Sequence, residues 1–503
     1  MGLNLAVVLE TRAASQPNHT ALIHAGRGMT YAQLNRSANR FAAGLQQLGV
    51  RRDHSVAVML PNVPEFVVAY FGTLKLGSRV VPLNTMLKAS EIAYQLEDAD
   101  AVALVVDEAL LPEVQQALLQ VETCQHLVVC GRWAPPQARL FDSLLDAAGS
   151  EIDTVQTMPD DTAVILYTAG VSGRPKGAEL SHFNMFYNAA ITADRLCSLT
   201  RSDVSLAALP FFHAFGQTCV MNATLYAGGT LSMLPRFGPD KALQLIERDR
   251  VTVLLGVPTM YWYLLHYPSS GKYDWTSLRL CCSGGAALPV DLMHDFQGRY
   301  GLPIFEGYGL TETSPVASFN LPDKPPREAS VGQPIYGVQM RIVDDSGREL
   351  PPGEVGEIVI RGHNLMKGYY NRPGATAAAL RDGWFYSGDL GKVDEEGYFY
   401  VVGRKKDVII RGGLNIYARE VESVLLAHPA VAEAAVIGVP DEVMGEEIKA
   451  FVMLEPDEVL DAEDLIEYAR RRMAAYKYPR YIEFRAQLPK DATGRVVKAL
   501  LRI

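Results

Sequence analysis

The chain has 503 residues, 48% hydrophobic and 21% charged, with a net charge of −10. That is material for several cores, so two to four domains are expected, and a disordered or fibrous chain is excluded. No basic run or arm is present, which argues against nucleic acid as a partner and leaves anionic ligands to local cations.

The six cysteines (Cys124, Cys130, Cys197, Cys219, Cys281 and Cys282) form no CxxC pair and mostly sit in apolar runs. Buried thiols in a reducing compartment, and so a cytoplasmic protein, fit better than a disulfide frame or a zinc site. The N-terminus carries acid early and lacks a basic stretch before a long apolar run, so it is not a signal peptide.

In chain order, residues 30–33 (TYAQ) form a capping box that opens a helix to about residue 48, ended by Gly49. A strand at 55–60, a helix at 63–76, a short strand at 80–81, a helix at 89–98 and a strand at 101–106 follow. This alternation argues for parallel α/β layering, with 132–139 and its Pro135-Pro136 as a surface loop.

The stretch 163–177, AVILYTAGVSGRPKG, reads as a buried strand at 163–167 and then a loop with Gly170, Gly173, Gly177, Arg174 and Lys176. Glycines let backbone N–H groups converge on an anion, and the cations add charge. A glycine-rich surface turn is the bland alternative; strand, glycines and lysine together favour a phosphate loop. It is not the P-loop of common NTPases, because Gly177 rather than Ser or Thr follows Lys176 and Pro175 removes an N–H.

Residues 204–235 lack Asp, Glu, Lys and Arg but are broken by Pro210, His213, Gly216, Asn222 and Gly228-Gly229. They read as buried strands and helix beside a ligand cavity, not as a membrane span. Strands are expected at 204–209, 251–256, 277–283 and 303–306, and helices at 241–248 and 288–300. Two of these strands run into Gly284-Gly285 and Gly307-Tyr308-Gly309, and ligands gather at strand carboxyl ends. From residue 338 the pattern changes to a period of two, which suggests antiparallel strands closing a small β-barrel. Past Lys406 a tail of about 100 residues is enough for a small α+β domain, with helices at 419–428 and 462–473 and strands at 430–437 and 448–454.

Tyr308-Gly-Leu-Thr-Glu-Thr313 offers an aromatic to stack on a base, Thr311 for a phosphate and Glu312 as a hard oxygen ligand for Mg²⁺. Tyr386-Ser-Gly-Asp389 offers a carboxylate that can accept two hydroxyls of a diol. These segments, the 163–177 loop, Ser283-Gly-Gly-Ala-Ala-Leu-Pro289 and Gly403-Arg-Lys-Lys-Asp-Val-Ile-Ile-Arg-Gly-Gly413 stand in the order seen in adenylate-forming enzymes. The chain resembles that family from about residue 30 to 501, and within it the acyl-CoA synthetases.

The resemblance implies a large N-terminal domain (1–405) of layered α/β sheets plus a small β-barrel, a hinge at Lys406, and a small mobile α+β C-terminal lid (406–503). It implies ATP and Mg²⁺ as cofactors, CoA as co-substrate, and two steps through an acyl-AMP. It places ATP phosphates on Thr168, Gly170, Ser172, Gly173 and Lys176, and adenine on Gly284, Gly285, Ala286, Gly307, Tyr308 and Gly309. Asp389 and Arg404 clamp the ribose, Glu312 holds the metal, and Gly412 and Gly413 line the pantetheine tunnel. His213 matches the position beside the acyl carboxylate; a histidine in an apolar run is otherwise more often a satisfied core residue.

Two segments depart from the family pattern. The loop reads Thr168-Ala-Gly-Val-Ser-Gly173 where Ser/Thr-Ser-Gly-Thr-Thr-Gly is usual, so Ala169 and Val171 remove two hydroxyls. In Leu488-Pro-Lys-Asp-Ala-Thr-Gly-Arg-Val-Val-Lys498, Arg495 stands where the family has its catalytic lysine. Arginine keeps the charge but changes reach and geometry, so slowed adenylation is expected, with thioester formation less affected. Lys490 and Lys498 do not occupy the matching place.

Residues 211–216 carry no acid to hold an amino group, and neither 204–235 nor 256–260 carries a cation for a second carboxylate. A medium- or long-chain fatty acid is favoured, since FHAFGQT is similar to such ligases; Tyr261 and Trp262 leave an aryl acid as runner-up. The resemblance also implies CoA rather than a carrier protein, since acyl-AMP ligases of the superfamily typically carry an insertion before the C-terminal domain and no obvious one is present. A catalytically impaired nucleotide-binding homologue, an acyl-chain binder without turnover, and a homodimeric assembly stay open.

Overall fold

A computed structural model of the chain describes residues 2–147, 152–168, 174–411, 414–441, 443–473, 475–491, 494 and 496–502. The chain divides into two compact units, one made of Met1–Glu328, Gly332–Gln339 and Ile360–Phe385, the other of Ala329–Val331, Met340–Val359 and Tyr386–Ile503.

Local chemistry sets the elements of the first unit. Thr30 Oγ1 accepts from Gln33 N at 3.2 Å while Gln33 Oε1 accepts from Thr30 N at 2.8 Å, and the helix Tyr31–Gln47 starts from that pair. Leu34, Ala38, Phe41 and Leu45 make its buried face. Gly49, at φ 87°, ends it, with Val50 N bonded to Leu45 O.

Two large sheets organise this unit among the described residues. One holds, in order, Gly368–Tyr369, Lys176–Ser181, Thr162–Thr168, Arg79–Pro82, Ser55–Met59, Ala101–Asp107, His126–Cys130 and Arg139–Leu140. The other runs from Gln333–Pro334 through Val316–Phe319, Ile304–Gly309, Leu280–Ser283, Val253–Gly256, Val204–Ala207 and Thr230–Met233 to Thr20–His24 and Arg27–Thr30. Central strands pair in parallel and are buried along their length, as in Ser55–Met59.

Three features differ from the expected elements. Residues after the phosphate loop form a strand, Lys176–Ser181, antiparallel to Thr162–Thr168, so the loop closes a hairpin. Gly307-Tyr308-Gly309 is not a loop but the end of the strand Ile304–Gly309, held by antiparallel pairing to Val316–Phe319. The charge-free stretch contains a π-helical segment, Phe215–Asn222.

In the second unit, Phe399–Arg404 pairs antiparallel with the end of Trp384–Val393. A five-stranded sheet (Leu414–Tyr417, Val408–Arg411, Gly445–Leu454, Val431–Asp441, with Tyr481–Phe484 parallel to Gly445–Leu454) packs on the helices Ala418–Leu426 and Ala462–Arg470.

Candidate functional site

The hairpin brings Thr168 directly opposite Lys176 in register, so the two strand ends that flank the glycine loop are paired within the sheet. Tyr94, on the helix Ala89–Asp98, supports the returning end. Its Oη donates to Pro175 O at 2.8 Å and its ring lies 5.2 Å from the Arg174 guanidinium. Gly170, Ser172 and Gly173, with Ala169 and Val171, lie outside the described residues.

Lys176 leads to the next group. Its Nζ stands 4.5 Å from the centroid of the Tyr369 ring, and Tyr369 Oη donates to Glu312 Oε1 at 2.9 Å. Tyr369 and Glu312 are both buried. Burial first, and then the Glu312 carboxylate, push the Tyr369 phenol well above its ordinary range, so it stays protonated and donates. Met366 N also bonds Glu312 O at 2.9 Å. Thr311 begins the short 3₁₀ turn Thr311–Thr313 that carries Glu312.

The two expected base-binding segments lie side by side. A Cβ on Gly284 would come within 3.4 Å of Gly307 O and 3.3 Å of the Phe215 ring, so the Gly284 backbone packs closely against both. Gly285 has φ 79°, a conformation that glycine adopts without strain. Glu306 fixes the pair: its Oε1 accepts from Leu288 N at 3.0 Å and its carbonyl from Asn320 Nδ2 at 2.9 Å. Ala286 sits in the same loop, and Tyr308 and Gly309 complete the adjacent strand. His213 precedes Phe215, whose N–H donates to His213 Nδ1 at 3.2 Å. The neutral ring therefore carries its proton on Nε2.

In the second unit Asp389 and Arg404 are direct cross-strand partners, with Arg404 Nε 3.1 Å from Asp389 Oδ1 and Asp389 buried. Glu357 braces this hairpin: Oε1 accepts from Gly388 N at 3.0 Å and Oε2 meets Lys405 Nζ at 3.1 Å. Lys406 follows in the turn Lys405–Asp407. Arg411 and Glu447 form a buried ion pair at 2.7 Å immediately before Gly412 and Gly413, which lie outside the described residues, as does Arg495. Lys498 is paired with Glu422 at 2.6 Å and Lys490 with Glu433.

Residues 9–370 match the family described as AMP-binding enzyme, and residues 420–495 match the AMP-binding enzyme C-terminal domain. The chain belongs to the AMP-binding enzyme family. A long-chain-fatty-acid–CoA ligase of Bacillus subtilis (strain 168) is 38% identical, covering 99% of this chain and 94% of that protein. A feruloyl-CoA synthase of an Amycolatopsis species is 39% identical, covering 98% and 97%. The crystal structure of an anthranilate CoA ligase in complex with anthranoyl-AMP superposes with a TM-score of 0.95 at 32% identity, covering 100% of this chain and 97% of that one. The reaction class of this AMP-binding enzyme is AMP-forming acyl-CoA ligation. ATP, and CoA as co-substrate, are consistent with that family. Among the described residues no helix is long and apolar enough to cross a membrane, and all six cysteines are free thiols.

For an AMP-binding enzyme the donor chemistry at Glu312 bears on the metal. Among the described residues no three His, Cys, Asp or Glu side chains converge on one point. Mg²⁺ commonly takes one or two carboxylates and fills its other positions with water and substrate phosphates, so a single buried carboxylate such as Glu312 fits it. Sequence reasoning missed Tyr369, Tyr94, Glu306 and Glu357. The Gly368-Tyr369 pair was the available cue for the first; nothing local marks the others.

Proposed function

We propose that this AMP-binding enzyme joins a carboxylic acid with an uncharged acyl tail to CoA in two steps. The acid carboxylate displaces pyrophosphate from ATP and gives an acyl-AMP; the CoA thiol then displaces AMP and gives the acyl-CoA. The grouping of Lys176, Tyr369 and Glu312 carries this reading, because it links a cation and a hard-oxygen ligand through one ring at the strand end opposite Thr168.

In this reading Thr168, Gly170, Ser172, Gly173, Lys176 and Thr311 receive the phosphates, and the segments at Gly284–Ala286 and Gly307–Gly309 receive adenine. Asp389 accepts the ribose hydroxyls, with Arg404 orienting its carboxylate. His213 presents Nε2–H to the acid carboxylate, and Arg495 supplies the charge that bridges acid and nucleotide. Glu312 would hold Mg²⁺, which when bound supplies charge neutralisation for the phosphates. Residues 406–503 turn about Lys406 between the steps and bring Gly412 and Gly413 to the pantetheine arm.

A medium- or long-chain fatty acid is the first choice, supported by the absence of charge over residues 204–235. An aryl acid bearing a hydrogen-bonding substituent is the second. Among the described residues, Gln217 Oε1 and Asn222 Oδ1, buried in the π-helical segment next to His213, have no hydrogen-bond partner, although their amide nitrogens donate to Phe211 O and Tyr70 Oη; these two acceptors favour it. A panel of fatty acids from short to long, with benzoate, cinnamate and anthranilate types, followed for CoA thioester by mass spectrometry, tests the proposal. Thioester from no acid would overturn it.

A further inference from the structure

Lys176 and Glu312 are opposite charges that both contact Tyr369, and among the described residues no ion pair joins them to each other. The phenol ring takes the ammonium on its face at 4.5 Å, and the hydroxyl takes Oε1 of the carboxylate at 2.9 Å. The backbone around Tyr369 is fixed from both sides. Gly368–Tyr369 pairs antiparallel with the strand that Lys176 begins, with Tyr369 opposite Ala178 and Gly368 opposite Glu179. Tyr370 N bonds Gly177 O at 2.8 Å and Lys367 N bonds Glu179 O at 2.9 Å. Met366 N bonds the Glu312 carbonyl at 2.9 Å, and Tyr369 N bonds Thr376 Oγ1 at 2.9 Å. One short segment therefore ties the lysine-bearing strand to the glutamate-bearing turn.

We propose that Tyr369 is the positioning residue of the nucleotide–metal site. It pins Glu312 by Oε1, leaving Oε2 to face a divalent cation, and it keeps Lys176 from closing onto Glu312, so cation and carboxylate both remain for Mg·ATP. The inference rests on the nucleotide reading of this site, not on which acid is used. A tyrosine suits the task because its face and its hydroxyl serve opposite charges at once; phenylalanine keeps the face and loses the pin.

The test is calorimetric binding of a non-hydrolysable α,β-methylene ATP analogue at graded Mg²⁺, so that no turnover is needed. Tyr369→Phe is expected to bind the analogue without Mg²⁺ as the parent does, and to need about fivefold more Mg²⁺, or higher, for the metal-dependent gain, as loss of a charge-assisted hydrogen bond predicts. In a Glu312→Gln background the same substitution is expected to change nothing further. Glu312→Gln controls for folding because it is nearly isosteric. A Mg²⁺ dependence in Tyr369→Phe indistinguishable from the parent's overturns the proposal. So does an equal loss of binding with and without Mg²⁺, which marks a merely structural role. A parent that binds the analogue indifferently to Mg²⁺ overturns it too and leaves the ligase reading intact, whereas failure of every acid to form a thioester overturns that reading and leaves this test standing.

Discussion

The backbone N–H of Phe215 donates to Nδ1 of His213 across 3.2 Å, so the ring's other nitrogen carries the exchangeable proton. The turn that makes this contact is tight: a Cβ on Gly216 would lie 2.3 Å from Pro210 O. If Nε2–H meets the acid carboxylate, removing it weakens the acid more than the nucleotide. His213→Ala is expected to raise KM for the acid about tenfold, the size of one lost hydrogen bond to a charged group, with a small effect on KM for ATP. His213→Gln, which keeps an amide N–H near the same place, is expected to fall between. Equal changes in both KM values would contradict this.

Gly309 has no room for a side chain. A Cβ there would stand 2.0 Å from Pro315 O and 3.1 Å from Val316 Cα, all backbone atoms. Gly309→Ala must displace one strand of the pair Ile304–Gly309 and Val316–Phe319. The expected cost is about 2 kcal/mol or more, seen as a lower Tm and weaker nucleotide binding. An unchanged Tm would show that the strand gives way freely.

The lysines near the C-terminus are engaged elsewhere. Lys498 pairs with Glu422 and Lys490 with Glu433. Neither is expected to stand in for Arg495, so Lys490→Ala and Lys498→Ala should leave ATP–pyrophosphate exchange near the parent rate. Arg495→Ala should lower that exchange steeply, and Arg495→Lys should raise it above the parent while thioester formation from supplied acyl-AMP changes less. Loss of exchange in Lys498→Ala, or no gain in Arg495→Lys, would contradict the assignment.

His182 opens the helix His182–Ile191, is buried, and accepts the Leu5 N–H on Nδ1 at 3.0 Å. Burial, aided by Arg52 and opposed by Asp161, pushes it down to about 4. The unfolded chain therefore binds more protons between about pH 6.5 and 4, and the folded state loses stability as pH falls through that window, by up to about 3 kcal/mol. Above pH 6.5 the contribution is fully present. His182→Asn keeps an acceptor for Leu5 and removes the titration, so its Tm is expected to fall less between pH 6.5 and 4 than the parent's. Parallel Tm curves would contradict it.

Much of the fold is legible where local and tertiary demands agree. The Thr30 capping box and the apolar face of Tyr31–Gln47 are written in one stretch of sequence and appear as expected. Lys176–Ser181 is different: KGAELS has little β-propensity, and pairing with Thr162–Thr168 imposes the strand. The π-helical segment Phe215–Asn222 follows from packing that no period reveals. At the site, the glycine segments and Glu312 are legible because backbone approach and metal ligation demand those residue types. Tyr369 is not, because its link to Glu312 crosses 57 positions of chain and depends on strand pairing.

The proposed reaction makes an acyl-AMP and passes the acyl group to CoA. The most direct measurement is the product stoichiometry with the best acid of the panel, ATP, Mg²⁺ and CoA, resolved by chromatography and mass spectrometry. One AMP and one pyrophosphate are expected for each acyl-CoA, with acyl-AMP accumulating when CoA is withheld. ADP and phosphate as products, or thioester without AMP, would contradict it.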